Sequence, residues 1–97
     1  MVKPWRVSLR IARDDHAPLT DDVVGRLSAG LADDGAVVDR EDSGSVVVRV
    51  TVDAREEWAA RSAAEAALRA AADAVWGELE LPPFTITFMD VAAQSAG

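Results

Sequence analysis

The chain has 97 residues, which suits one domain with one core, and a formal net charge of −7 from 17 acidic and 10 basic residues. Nucleic acids and anionic membranes are bound mainly through positive charge on the protein, so this balance argues against both as partners. The absence of cysteine excludes disulfides and thiolate chemistry. No stretch approaches the ~20 apolar residues of a membrane span. We therefore expect a single cytoplasmic domain over 1–97, ordered from about 4 to 92 and frayed at 93–97.

The first half of the chain predicts a strand followed by a helix. Apolar side chains alternate from Trp5 to Ala12, the period of a strand with one buried face. Thr20 has the chemistry of a helix N-cap, and the two aspartates after it oppose the positive end of the helix dipole. An apolar stripe then recurs at helical spacing up to Leu31.

The second half predicts two strands, a long helix and a last strand. A weak strand over 36–40 leads through a turn into a strong strand over 46–52. The register of this hairpin is open by one residue, which decides whether Val37 and Asp39 or the residues after each of them point outward. Asp53, with Glu56 completing a capping box, predicts a helix from about 54 to 79. Pro82-Pro83 ends that region, and the last strand covers 84–91.

This order predicts an α+β fold, a ferredoxin-like βαββαβ sandwich with a four-stranded antiparallel sheet and two helices on one face. The first and third strands alternate most strongly and are expected in the centre. The helix-covered face would carry the apolar residues Val7, Leu9, Ile11, Val46, Val48, Val50, Val52, Phe84, Ile86 and Phe88. The opposite side, called the open face below, would carry Arg6, Ser8, Arg10, Val47, Arg49, Thr51, Thr85, Thr87 and Met89.

The open face is the first candidate site, because guanidinium groups bind phosphate and carboxylate bidentately. The residues proposed for binding are Arg6, Arg10, Arg49, Thr51, Thr85 and Thr87. Three interpretations compete: contact with a second subunit, a solvated face whose arginines pair with nearby acids such as Asp39, Glu41 or Asp90, and an anion site. RNA binding is disfavoured, since such sheets stack bases on outward aromatic residues and this one has none.

Other features are weaker candidates. His16 follows two aspartates in a turn, but no second histidine or any cysteine completes a metal site. Trp58 and Trp76 border the core-facing line of the long helix and could form a partner surface, or could simply close the edge of the core. An alanine line on the opposite side of that helix could admit another helix. We expect no metal and no cofactor.

The sequence thus favours a small non-enzymatic interaction or regulatory module that self-associates, as a homodimer, through its open face or a sheet edge. The alternative is a dimeric α+β barrel-type enzyme or a small-anion-binding protein that uses Arg6, Arg10 and Arg49. A pocket holding an arginine or His16 together with a carboxylate would favour that alternative. A third possibility is an accessory domain recognised by another protein through Trp58 and Trp76.

Overall fold

A computed structural model describes residues 2–32 and 35–94. The elements in chain order are β1 (Lys3–Arg13), α1 (Asp21–Gly30), β2 (Val37–Arg40), β3 (Val46–Ala54), α2 (Glu57–Leu79) and β4 (Phe84–Ala93). The four strands form one sheet in the order β2-β3-β1-β4, and all neighbours are antiparallel. The predicted small α+β fold with a four-stranded antiparallel sheet and two helices is confirmed.

The two central strands form the middle of the core. In the β1–β3 pair, Val7 lies opposite Val50 and Leu9 lies opposite Val48. These four side chains are fully buried, as are Ile11 and its partner Val46. Burying an aliphatic side chain of this size stabilises the fold by about 1.5–3 kcal/mol. The strong alternation of both segments therefore reflects one continuous buried layer.

Both helices contribute to the same core, in different ways. The hydroxyl of Thr20 accepts a hydrogen bond from the amide of Val23 (3.4 Å), so the predicted cap of α1 is confirmed. Helix α2 lies on the sheet through small residues, since Ala60, Ala64 and Ala72 are fully buried around Leu68. Because alanine keeps the side-chain layer thin, the helix axis can approach the sheet closely.

The start of α2 differs from the prediction. Asp53 does not cap the helix; it remains in β3, where it lies opposite Pro4 of β1. Glu56 takes the N-cap position without a capping side-chain hydrogen bond, and the helix begins at Glu57. The ladder with β1 continues past Asp53 to the pair of Lys3 with Ala54, so Asp53 keeps a strand conformation instead of the cap position.

A bulge in β4 changes the face on which its later residues lie. The register against β1 shifts between Ser8 and Leu9, so Phe88 lies opposite Leu9 and Asp90 lies opposite Ser8. Met89 is the extra residue, and Val91 returns to the core side and packs there. Met89, predicted to continue the regular outward row, interrupts that row because it has no partner in β1. The strand also continues beyond 91 to Ala93, and residues 95–97 lie outside the described part of the chain.

The hairpin between β2 and β3 has one defined register. Val37 lies opposite Arg49 and Asp39 opposite Val47, so Val37 and Asp39 belong to the open face and Val38 packs against the core. The connecting turn contains Gly44 with φ +92, a conformation that favours glycine.

We expect Gly44→Ala to destabilise the protein by about 1–3 kcal/mol, because it combines backbone strain with a steric clash. A β-carbon there would lie 2.5 Å from Cβ of Pro18 and 2.7 Å from its Cα. Gly25→Ala is the matched control: its β-carbon meets nothing within 4 Å, and we expect a gain of about 1 kcal/mol in helix α1. Urea unfolding of both variants measures the difference. Equal stabilities would contradict the packing of this turn.

Candidate functional site

The predicted binding residues share the open face but are spread along it. Arg10 lies between Val47 on β3 and Thr87 on β4, whereas Arg6 lies opposite Thr51. The two arginines lie four positions apart on β1, a distance of roughly 13 Å. The structure therefore does not bring Arg6 and Arg10 together around one small ligand.

Glu41 binds the guanidinium group of Arg10. Nε and Nη2 of Arg10 donate to the two carboxylate oxygens of Glu41 at 2.7 and 3.1 Å. Glu41 directly follows β2, so this pair reaches across β3 over the open face. The hydrogen bond and the charge of Glu41 raise the pKa of Arg10 above its ordinary value.

Asp39 binds Arg49 through a single hydrogen bond, with Nη1 donating at 2.5 Å. Between this pair and the Arg10–Glu41 pair lies Val47, which is 4% exposed although it faces away from the helices. The expected pairing with nearby acids thus exists for Asp39 and Glu41.

The third arginine of the open face differs from the other two. Within the described ranges, no carboxylate oxygen lies within 4.0 Å of the Arg6 guanidinium, and Asp90 forms no ion pair. Arg6 therefore keeps an exposed positive charge on the open face.

A shallow cavity of about 360 Å³ opens where β1 ends and β4 begins. Its lining combines basic, acidic and hydroxyl side chains: Arg10, Ala12, Arg13, Asp14, His16, Thr85 and Thr87. The hydroxyl of Thr85 donates to the carboxylate of Asp14. Arg10, Thr85 and Thr87 were predicted for a site, but Arg13 and Asp14 were not. Arg13 lies opposite Phe84 on the core side of the strand pattern, so alternation alone does not assign it to this cavity.

Asp15 neutralises the second arginine of this cavity. Nε and Nη2 of Arg13 donate to its two oxygens at 3.0 and 2.5 Å, and the amide of Ala17 donates at 3.1 Å. The hydrogen bond from Arg13, followed by that from Ala17, lowers the pKa of Asp15. His16, between Asp15 and Ala17 in this tight turn, has φ 63, a left-handed conformation. Because each arginine of the cavity already holds a carboxylate, an incoming anion must displace one of them.

The space between the helices and the sheet is filled by apolar side chains. Over residues 2–32 and 35–94, no charged or polar side chain is buried. A second cavity, of about 600 Å³, lies between α1 and α2 and is lined mainly by alanines, with Arg26 and Glu78 joined at 2.9 Å across it. In the same described residues, no group of three His, Asp or Glu side chains is placed to hold a metal ion.

The two tryptophans of α2 have different environments. Trp76 is 6% exposed, donates Nε1–H to the carbonyl of Pro82 (2.8 Å) and contacts the ring of Phe84 at a centroid distance of 4.8 Å. Of the two roles that the sequence left open for it, Trp76 has the one at the core. Trp58 is 69% exposed and donates to the carboxylate of Glu56. The difference follows from position, since Trp76 lies near the end of α2 where the chain folds back into β4.

The fold and these cavities define a small α+β protein with an open antiparallel sheet and a polar cavity at one end of its open face. Neither described helix has the length and apolar composition needed to cross a membrane. The chain matches no family model, no curated protein and no solved structure.

The contrast between the tryptophans gives a direct test of their assignment. We expect Trp76→Ala to destabilise the protein by about 3–5 kcal/mol, as for other buried aromatic residues. Trp58→Ala, the matched control on the same helix, should change the stability by less than about 0.5 kcal/mol. Guanidinium chloride unfolding followed by circular dichroism measures both. Similar losses in the two variants would contradict the placement of Trp76 in the core.

The Arg13–Asp15 pair predicts a pH effect. Because the pKa of Asp15 is lowered in the folded state, its contribution to stability is present above the ordinary aspartate pKa of about 3.9 and is lost as the pH falls through the lower folded value. Arg13→Ala should raise the pKa of Asp15 toward the ordinary value. An NMR titration of the carboxyl carbon measures it, with Arg26→Ala as a control of equal charge change. No shift in the Arg13 variant would contradict the pair.

Proposed function

We propose that this protein is a small non-enzymatic interaction module that self-associates as a homodimer through its open face or a sheet edge. The observation that carries the proposal is incomplete burial at the β4 edge. Phe84, Ile86 and Phe88 lie on the core side of the sheet but are only half-buried, whereas Val7, Leu9 and Ile11 on the same side of β1 are fully buried. Large apolar side chains left half-exposed in a row are typical of surfaces that another chain covers.

The charge distribution on the open face supports the same function. Arg10 and Arg49 are neutralised by Glu41 and Asp39, so two copies could meet over this central part of the face without burying an unpaired arginine, provided that Arg6 stays outside the contact. Val37 is an exposed large apolar residue of this face (54%). Met89, which is 45% exposed, lies at the bulge of β4 at the other edge of the sheet. Val37 adds apolar area to the otherwise polar open face.

For the architecture, we propose the ferredoxin-like sandwich in particular. The support is the chain order of strands and helices, the central position of β1 and β3, and the single core shared by both helices and one side of the sheet. Folds of this kind host many unrelated functions, so this assignment adds no activity by itself.

A second candidate function is small-anion binding in the cavity at Arg10, Arg13 and His16. The cavity contains the combination that would favour this function, arginine and histidine together with the carboxylate of Asp14. Against it stand Glu41 and Asp15, which occupy both guanidinium groups. A phosphate titration followed by NMR discriminates: binding that strengthens in Glu41→Gln supports this second function, and no response in either protein removes it.

Self-association predicts a mass that depends on concentration. We expect sedimentation velocity to show dimers at high-micromolar concentration and monomers on dilution. Because each copy carries a formal charge of −7, added salt should screen repulsion and favour the dimer. A strict monomer at high-micromolar concentration and moderate salt would overturn the proposal.

A further inference from the structure

We infer that self-association uses the β4 edge, where residues 84–88 pair antiparallel with the same residues of a second copy about a two-fold axis at Ile86. This inference rests on the proposed self-association and names its surface and register. Four observations carry it: the direction of the backbone groups, the symmetry of the segment, its boundaries and the exposure of its side chains.

Every second residue of β4 directs its backbone N–H and C=O groups away from β1, toward the free edge of the sheet. The amide of Asp14 donates to the carbonyl of Pro83 at 2.8 Å, which identifies that position as a hydrogen-bonded pair of the β1–β4 ladder. Hydrogen-bonded and non-hydrogen-bonded pairs alternate along an antiparallel ladder. Thr85 and Thr87 therefore bond to β1, whereas residues 84, 86 and 88 direct N–H and C=O toward the free edge.

The sequence of this segment reads the same in both directions: Phe84-Thr85-Ile86-Thr87-Phe88. Antiparallel pairing with a second copy about Ile86 places Phe84 opposite Phe88, and Thr85 opposite Thr87, across the axis. The groups that point outward then meet each other, giving about six backbone hydrogen bonds between the chains. Aromatic and threonine pairs across strands are also favourable.

The ends of the segment select this register. Pro82 and Pro83 before it have no amide hydrogen to donate, and the bulge at Met89 bends the strand after it. Between these limits only three residues direct backbone groups outward. Symmetric pairing centred on Ile86 gives all three a partner, whereas a shift of the axis by one residue in either direction leaves at least one without.

The side chains on the core side of this edge are only partly covered, although they pack against the core and Trp76 contacts the ring of Phe84. The guanidinium carbon of Arg61 lies 4.6 Å from the ring centre of Phe88, and that of Arg69 lies 5.9 Å from the ring centre of Phe84. Glu65 lies between them on α2 and binds Arg69 at 3.2 Å. Exposed arginines cover the outer sides of the two rings, and a second β4 would bury the rings further without displacing any part of the core.

The opposite edge is less suited to pairing. Strand β2 has four residues, and only Val38 and Arg40 direct their backbone groups outward, because the amide of Glu41 donates to Ser45 at 2.8 Å and sets the alternation. The Arg40 side chain is held by Asp21 of α1 at 2.6 Å. A charged residue on a short edge strand disfavours pairing with another chain.

Amide hydrogen exchange of the unmodified protein tests the inference. In dilute solution the amides of Phe84, Ile86 and Phe88 should exchange quickly, and at a concentration where nine chains in ten are dimeric they should slow by about tenfold. The amides of Val38 and Arg40 should not respond. A dimer without this protection would overturn the β4 register but leave self-association standing, whereas a monomer throughout would overturn both.

Paired proline substitutions give an independent test. Ile86→Pro removes an outward amide hydrogen and leaves the bonds to β1 intact, so the dimer should be lost while circular dichroism keeps the native spectrum. Val38→Pro makes the matched change at the β2 edge and should leave the dimer unchanged. The opposite pattern would overturn the inference. If Ile86→Pro does not fold, Ile86→Cys replaces it: this chain, which otherwise has no cysteine, should form a symmetric disulfide much faster than Val38→Cys, and equal rates would overturn the inference.

Discussion

The antiparallel register between β1 and β3 is the constraint on which the rest of the structure depends. It places Val7, Leu9 and Ile11 directly opposite three valines, and together they form the fully buried centre of the molecule. A shift of one residue would turn Arg6 and Arg10 toward the helices, where no described polar side chain is buried. The cost of burying two unpaired guanidinium groups fixes the register, and the register in turn fixes which residues reach the open face.

The sequence predicted an element correctly where its local residue pattern matches the environment of that element in the folded chain. The two central strands were predicted because one face of each lies against the core and the other faces away from it, so apolar and polar side chains alternate along most of both. Asp53 was assigned wrongly because a capping pattern is local, whereas its pairing with Pro4 depends on a segment 49 residues away in sequence. The bulge at Met89 has the same origin, since it arises from the fit of β4 to β1. Trp58 and Trp76 were indistinguishable because both lie on the border of one helix, and only the return of the chain into β4 covers the second.

In the candidate site, acidic residues from neighbouring segments occupy two of the arginines that the sequence proposed for binding an anion. Guanidinium groups on an exposed sheet suggest an anion site when strands are considered singly. In the folded chain the turn after β2 delivers Glu41 to Arg10, and Asp39 reaches Arg49 from the adjacent strand. Exposed ion pairs of this kind add little to stability. Their consequence is instead to remove positive charge from the open face and to cover Val47, leaving a surface that is neutral over its central part.

The two edges of the sheet differ in a way that limits how far association can proceed. An exposed edge strand normally invites indefinite growth, since each added chain offers a new edge. Here each chain has one long edge, β4, and one short edge, β2, which carries Arg40 and its ion pair to Asp21. Pairing of β4 with β4 is isologous, so it uses the long edge of both copies and leaves only the two short edges outside. The proposed association through residues 84–88 would therefore close at two chains, and the difference between the two edges would keep the assembly finite.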